Sequence, residues 1–195
     1  MPAQPLSPAW QELTKQPLPW EHYDLVVGED FYEHMNRNAG RRDGEVVLAI
    51  RRPDGLLLLH TKSSYPPKTW RMPTGGVERG EAIREAVRRE LAEETGLAAE
   101  GSRPLGVLTY EIHTAGEQAL HFASAVFMLI VPDLPPAKQD PQEQISGYRW
   151  VPMHGLPAIA AQLENLPPDW VDWGRFRALA HRFVVSIPSF IATPW

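Results

Sequence analysis

A strongly helix-forming stretch, residues 81–95, constrains this chain more than any other segment. It ends at Gly96, a natural C-cap. On a wheel stepping ~100° per residue from Ile83 at ~0°, Val87 falls near ~40°, Leu91 near ~80° and Ala86 near ~300°. These residues mark a stripe to be buried. Glu94 falls near ~20° and Glu90 near ~340°, inside that stripe, with Glu93 on its shoulder near ~280°. Three carboxylates thus occupy the face that a packed helix reserves for apolar groups. Two of them ~4 Å apart would repel by ~4 kcal/mol at an effective dielectric of ~20, and burial adds desolvation. Protonation, arginines or a divalent cation must compensate. Carboxylate oxygens beside a Gly-rich loop that can offer backbone carbonyls suit a hard ion, Mg2+ or Mn2+. Zinc would prefer His or Cys, and no His lies near this helix in sequence. The competing reading is a solvated Glu/Arg helix laced with i,i+4 neighbours. Glu81–Glu85, Arg84–Arg88 and Glu85–Arg89 supply such a surface on the opposite side. From the helix alone, both readings stand.

The rest of the chain narrows the class. Its 195 residues suit one domain with a decorated core. A net charge of −5 argues against nucleic-acid or membrane-surface binding driven by net charge. Charged residues at 22% and hydrophobic residues at 43% exclude wholesale disorder. With no cysteine, disulfides, thiol nucleophiles and Cys-based zinc sites are excluded, and a reducing compartment fits. The start shows no basic stretch followed by an apolar run, so no secretory leader is expected. The longest apolar stretch, 123–131, falls far short of the ~20 residues of a membrane helix and reads as a buried strand. A cytoplasmic protein is the expectation.

Residues 1–40 read as an N-terminal arm packed on the domain, extended or partly frayed over 1–20. Within it, Tyr23–Val27 reads as a short strand, followed by polar turns to Gly40. Residues 41–166 read as the core, and 167–195 as a C-terminal helix and apolar tail of the same domain. Glu45–Ile50 and Leu56–Thr61 flank Pro53-Asp54-Gly55 and predict a hairpin. Trp70–Met72 reads as a short strand and Pro73–Gly80 as a Gly-rich loop. Strands are predicted over Leu105–Ile112, Leu120–Val131 and Tyr148–Val151, and helices over Leu156–Leu166 and Arg175–Val185. This order fits an α/β fold with a mixed sheet, not a regularly alternating parallel one.

Gly75, five residues, Glu81, seven residues, then Arg89-Glu90-Leu91-Ala92-Glu93-Glu94-Thr95-Gly96-Leu97 completes a longer pattern. It resembles the Nudix box, G-x5-E-x7-R-E-U-x-E-E-x-G-U with U apolar, at every fixed position. Seven specified residues at ~7% background each coincide on the order of once in 10⁸ windows, so the pattern is specific. The resemblance covers 75–97. The preceding hairpin, Trp70-Arg71-Met72-Pro73 and the Tyr148-Arg149-Trp150-Val151 strand also fall where Nudix proteins have such features. It implies an α/β/α sandwich whose loop–helix–loop carries divalent metal. It also implies hydrolysis of a diphosphate linkage in a small, nucleotide-based phosphoanhydride; from net charge, no nucleic-acid or membrane partner is expected. By matching positions, Glu93 and Glu94 are the main metal ligands and Glu90 a ligand or proton acceptor. Arg89 holds a box glutamate, and Glu81 braces the loop or binds metal. The carbonyl around Thr74–Gly75 adds a ligand. Thr74 itself stands where many members have glycine, and Thr tolerates positive φ poorly.

The general base of such an enzyme lies in the box or in a later loop. Glu90, Glu117 and Glu143 are the candidates, in that order. Arg51, Lys62, Lys68 and Arg71 flank the expected cleft and are candidate phosphate contacts, against the alternative of inert surface cations. Trp70, Tyr65 and Phe122 are candidate stacking groups, against ordinary packing. The histidines are scattered without metal spacing and receive no role. The C-terminal aromatics are assigned to capping the core or to a homodimer contact. Subfamily markers are not met: the neighbourhood of Tyr110 and Ile112-His113-Thr114 offers neither the Pro nor the Tyr that mark two substrate types. A nucleotide-binding sensor on the same fold is the alternative function; such relatives usually lose box glutamates, and this chain keeps them all. The related isomerase needs a cysteine, which is absent.

Overall fold

Continuous buried runs and well-placed turns generate seven strands and five α-helices among the described residues. The protein was analysed as a computed structural model, which describes residues 10–116, 119–140 and 142–187. The strands are β1 (Trp20–Val26), β2 (Arg42–Arg51), β3 (Leu57–Lys62), β4 (Thr74–Glu78), β5 (Gly101–His113), β6 (Leu120–Ile130) and β7 (Ile145–Val151). The helices are α1 (Gln11–Thr14), α2 (Glu29–Ala39), α3 (Ile83–Thr95), α4 (Leu156–Glu164) and α5 (Val171–Ser186). The strands form one mixed sheet in the order β1-β5-β6-β2-β3-β7, with β4 paired to β2. The α/β class with a mixed sheet is therefore as the sequence indicates. No helix among the described residues is long and apolar enough to cross a membrane.

Two compact units divide the chain. The first takes in the described residues up to Val47, Thr74–Glu90 and Pro104–Phe127. There β1 runs parallel to β5, from Trp20 opposite Val107 to Val26 opposite His113. The first half of β2 runs antiparallel to β4, with Val46 opposite Gly75 and Val47 opposite Thr74. The segment expected to be a Gly-rich loop thus contains a strand. Its glycines leave the backbone groups available to the ladder, and the ladder, a non-local feature, overrides their weak strand preference. Thr74 is extended there and needs no positive φ.

The N-terminal region also departs from expectation. Residues 11–14 form a helical turn, with Trp10 and Leu13 completely buried. The Trp10 indole N–H donates to the Asp43 carbonyl at 2.8 Å. Residues 29–39, read as polar turns, are a helix. Its buried stripe is only Phe31 and Met35, four residues apart, and Glu29 and Asp30 complement the positive end of its dipole. So narrow a stripe is easily mistaken for a polar segment.

The second unit comprises Leu48–Pro73, Leu91–Arg103 and the described residues from Met128 onward. Its hairpin forms as predicted: Arg51 pairs with Leu57, and Asp54 Oδ1 accepts a bond from the Leu56 N–H at 3.0 Å. β3 runs antiparallel to β7, from Leu57 opposite Val151 to Lys62 opposite Ile145. The expected strand at Trp70–Met72 reduces to a single bridge between Arg71 and His60. α5 begins four residues earlier than predicted, because a 3-10 turn at Pro168–Trp170 leads directly into it. Its His181 is fully buried. The ring accepts the Met72 N–H at Nε2 (3.1 Å) and bonds the Arg177 carbonyl through Nδ1 (2.9 Å), which fixes the tautomer. Burial pushes the His181 pKa down to about 4. The tail residues 188–195, expected to cover a surface, lie outside the described residues.

Candidate active site

α3 buries the stripe that the wheel marks. Ile83, Ala86, Val87 and Leu91 are buried, and so are Glu90 and Glu94, at 7% and 0% exposure. Glu93 is half-buried, on the shoulder. Gly96 adopts φ +67 and its N–H bonds the Ala92 carbonyl at 2.8 Å, closing the helix as expected. The start differs: the helix opens at Ile83, two residues later than its composition suggests. Glu81 instead lies in the preceding turn, where its Oε2 accepts the Glu78 N–H at 2.9 Å.

In the first unit the box residues surround Arg89. Its guanidinium donates to both oxygens of Glu81 at 2.9 Å, to Glu90 Oε1 at 2.7 Å and to the Gly76 carbonyl at 2.8 Å. The wheel places Glu81 and Arg89 on the solvated side; here they are half-buried partners. The Arg89 bond holds the Glu81 carboxyl below its ordinary range, against the opposing effect of burial. Reciprocally, Glu81 and then Glu90 raise the Arg89 pKa further. The Glu90 carboxylate lies against the Gly75 backbone. A Cβ at Gly75 would stand 1.7 Å from Glu90 Cδ, so only glycine admits the carboxylate there. Thr74 and Gly75 occupy consecutive positions of β4 beside it.

In the second unit a different set gathers round Glu94. Lys62 Nζ lies 3.2 Å from Glu94 Oε1 and also bonds Glu143 Oε2. His60 Nδ1 lies 3.8 Å from Glu94 Oε2. Burial first, then Arg71, Lys62 and Arg177, hold the His60 pKa well below its ordinary value, so its ring is neutral beside the carboxylate. The Tyr148 hydroxyl donates to the Glu94 carbonyl. Burial first, with the Glu94 charge adding, pushes its pKa up to about 12. The Glu93 carbonyl accepts the Gln139 N–H at 2.9 Å.

The remaining candidates are placed otherwise. Arg71 is buried; it donates to the Tyr65 hydroxyl and the Met72 carbonyl, each at 2.8 Å. It is therefore not a surface cation, the alternative to a phosphate contact. Arg51 stands beside the hairpin turn, its guanidinium 3.5 Å from where a Gly55 Cβ would be. Lys68, in the left-handed region at φ 64, and Trp70 help line a cavity of about 350 Å3 with Thr69 and Gln162. Tyr65 packs on Trp170 and Trp173, and Phe122 on Tyr110. Glu117 lies outside the described residues. His60 and Tyr148 were not singled out by sequence. Nothing local marks them; strand pairing over a long separation brings them to Glu94.

Among the described residues, no three His, Asp or Glu side chains cluster as ligands of one ion. The donor chemistry nevertheless fits a hard divalent cation. Glu90, Glu93 and Glu94 offer only carboxylate oxygens, and the Lys62 ammonium already supplies a cation at Glu94.

The NUDIX domain family model matches residues 40–173. An RNA pyrophosphohydrolase of Caulobacter vibrioides is 41% identical over 69 residues, covering 34% of this chain and 40% of that protein. A putative mutator protein MutT4 of Mycobacterium tuberculosis is 31% identical over 128 residues, covering 65% of this chain and 46% of that protein. The chain thus matches less than half the length of these relatives. A MutT NUDIX hydrolase from Burkholderia pseudomallei, of known structure, is 25% identical with a TM-score of 0.48, covering 72% of this chain and 95% of that one. With the family match spanning more than half its length and the complete box within that match, this chain belongs to the NUDIX family.

Proposed function

We propose that this protein hydrolyses a pyrophosphate linkage in a nucleoside diphosphate derivative or nucleoside triphosphate, with Mg2+ or Mn2+ as cofactor. The observation that carries this reading is the buried Glu90 carboxylate, gripped by Arg89 and admitted by the missing side chain at Gly75. Core formation alone gives no reason to bury that charge. Glu93 and Glu94, with Glu90, Glu81 and the carbonyls at Thr74–Gly75, would hold the metal. When bound, the metal neutralises pyrophosphate oxygens and lowers the pKa of the attacking water.

The chain's own residues supply the rest. Glu90 accepts the proton of the attacking water, and Arg89 keeps its carboxylate oriented. Arg89 also ties Glu81 and the Gly76 carbonyl into one rigid support, so the carboxylates are positioned before substrate arrives. Glu143 is the third base candidate, after Glu117. Lys68 and Trp70 face a shared cavity whose size suits part of a nucleotide. The names of two relatives, an RNA pyrophosphohydrolase and a putative mutator protein, support adding RNA to the substrates tried.

The test is phosphate or pyrophosphate release from nucleoside diphosphate derivatives, nucleoside triphosphates and 5′-triphosphorylated RNA, with and without Mg2+ or Mn2+. Metal-dependent turnover of one of them is expected. Tight nucleotide binding by folded protein without any turnover would replace this reading by a sensor.

A further inference from the structure

Lys62 contacts two carboxylates at once. Its Nζ lies 3.2 Å from Glu94 Oε1 and bonds Glu143 Oε2. The three differ in setting: the Glu94 side chain is 1% exposed, Lys62 17% and Glu143 28%. Position 62 ends β3, while Glu143 precedes β7, 81 residues away in sequence. The Glu143 carbonyl also accepts a bond from Lys138 Nζ at 2.9 Å.

A buried carboxylate that stays ionised needs a cation, because its desolvation is unrecovered otherwise. The lysine at position 62 meets that need for Glu94. A divalent cation binding at Glu94 would meet a positive charge within hydrogen-bond range of the same oxygen, and like charges so close oppose each other strongly. The ammonium has a second acceptor, Glu143, on the more exposed side.

Resting on the function proposed above, we infer that Lys62 is a built-in counter-cation of Glu94 that competes with the divalent metal. Glu143 is the acceptor that takes the ammonium when the metal binds. The pair sets how tightly the metal is held and keeps the metal-free chain folded. Lys62 is thus a positioning residue, not one that must touch substrate.

Calorimetric Mn2+ titration of the 195-residue chain, paired with thermal melts without metal, tests this. Lys62→Met is expected to bind Mn2+ ~10-fold tighter, on the scale of ordinary coupling between two ligands, and to melt lower without metal. Glu143→Gln, which strands the ammonium on Glu94, is expected to bind Mn2+ more weakly. Combining both substitutions should restore the tight binding of Lys62→Met, since no ammonium then remains to be accepted. Should Lys62→Met fail to fold, Lys62→Gln keeps an N–H donor without the charge and makes the same prediction. Unchanged or weaker Mn2+ binding by the folded neutral variant overturns the inference. Weaker binding by the double variant than by Lys62→Met overturns the role given to Glu143. Wild-type protein that binds no Mn2+ removes the metal reading itself, a distinct outcome.

Discussion

Arg89 grips Glu81 with two N–H···O bonds of 2.9 Å each, a forked pairing across eight residues. Only a planar guanidinium makes both bonds while a third nitrogen reaches Glu90. Arg89→Lys keeps the charge and loses the fork. It is expected to cost ~1–2 kcal/mol of stability. Turnover should drop by ~10–100-fold, the usual cost of losing a supporting partner of a metal site. Chemical denaturation and steady-state kinetics on the same preparation measure the two effects.

Glu93→Gln is expected to keep the fold, because the side chain is only half-buried and the substitution preserves its shape. Activity should fall by at least ~10²-fold, the scale seen when a key electrostatic group is removed. A folded Glu93→Gln variant with near-normal turnover would remove Glu93 from the ligand set.

Gly75→Ala puts a methyl group where the Glu90 carboxyl now lies. The carboxylate must move or the strand must shift, at ~1–3 kcal/mol for an overpacked site. The expected result is a modestly lowered melting temperature with a severe loss of turnover. Gly80→Ala is unsuitable as a control, since Gly80 has φ +78.

Stability should fall on acidification between pH ~6.5 and ~4. The His181 pKa is about 4 in the folded chain, while an unfolded histidine titrates near ~6.5. In that window the unfolded state binds the extra proton, so lowering the pH favours unfolding. The gap corresponds to ~3 kcal/mol from His181, and His60 acts in the same direction. Urea melts across this range, compared with His181→Gln, measure it. The variant should be less stable at neutral pH and less sensitive to acid.

Some of this was legible one residue at a time. The Pro53-Asp54-Gly55 turn predicted its hairpin, and the α3 wheel placed Glu90 and Glu94 among apolar residues. Both are local effects of backbone preference and helical period, so neither depends on distant chain. The departures were non-local or faint. β4 exists because β2 offers it a ladder, and α2 because Phe31 and Met35 found something to cover them. Arg71, for which a surface cation is one reading, is instead buried and bonded to Tyr65 and the Met72 carbonyl.

The sequence by itself determined which groups carry charge on α3, the spacing that sets them on one stripe, and the family that spacing belongs to. Those follow from helical geometry and residue identity alone. Tertiary structure decided which partner each charge received: Arg89 for Glu81 and Glu90, Lys62 for Glu94 and Glu143. Coulombic and hydrogen-bond energies depend on separations of a few ångströms, and for residues 62, 94 and 143 only the folding of distant strands brings those separations about.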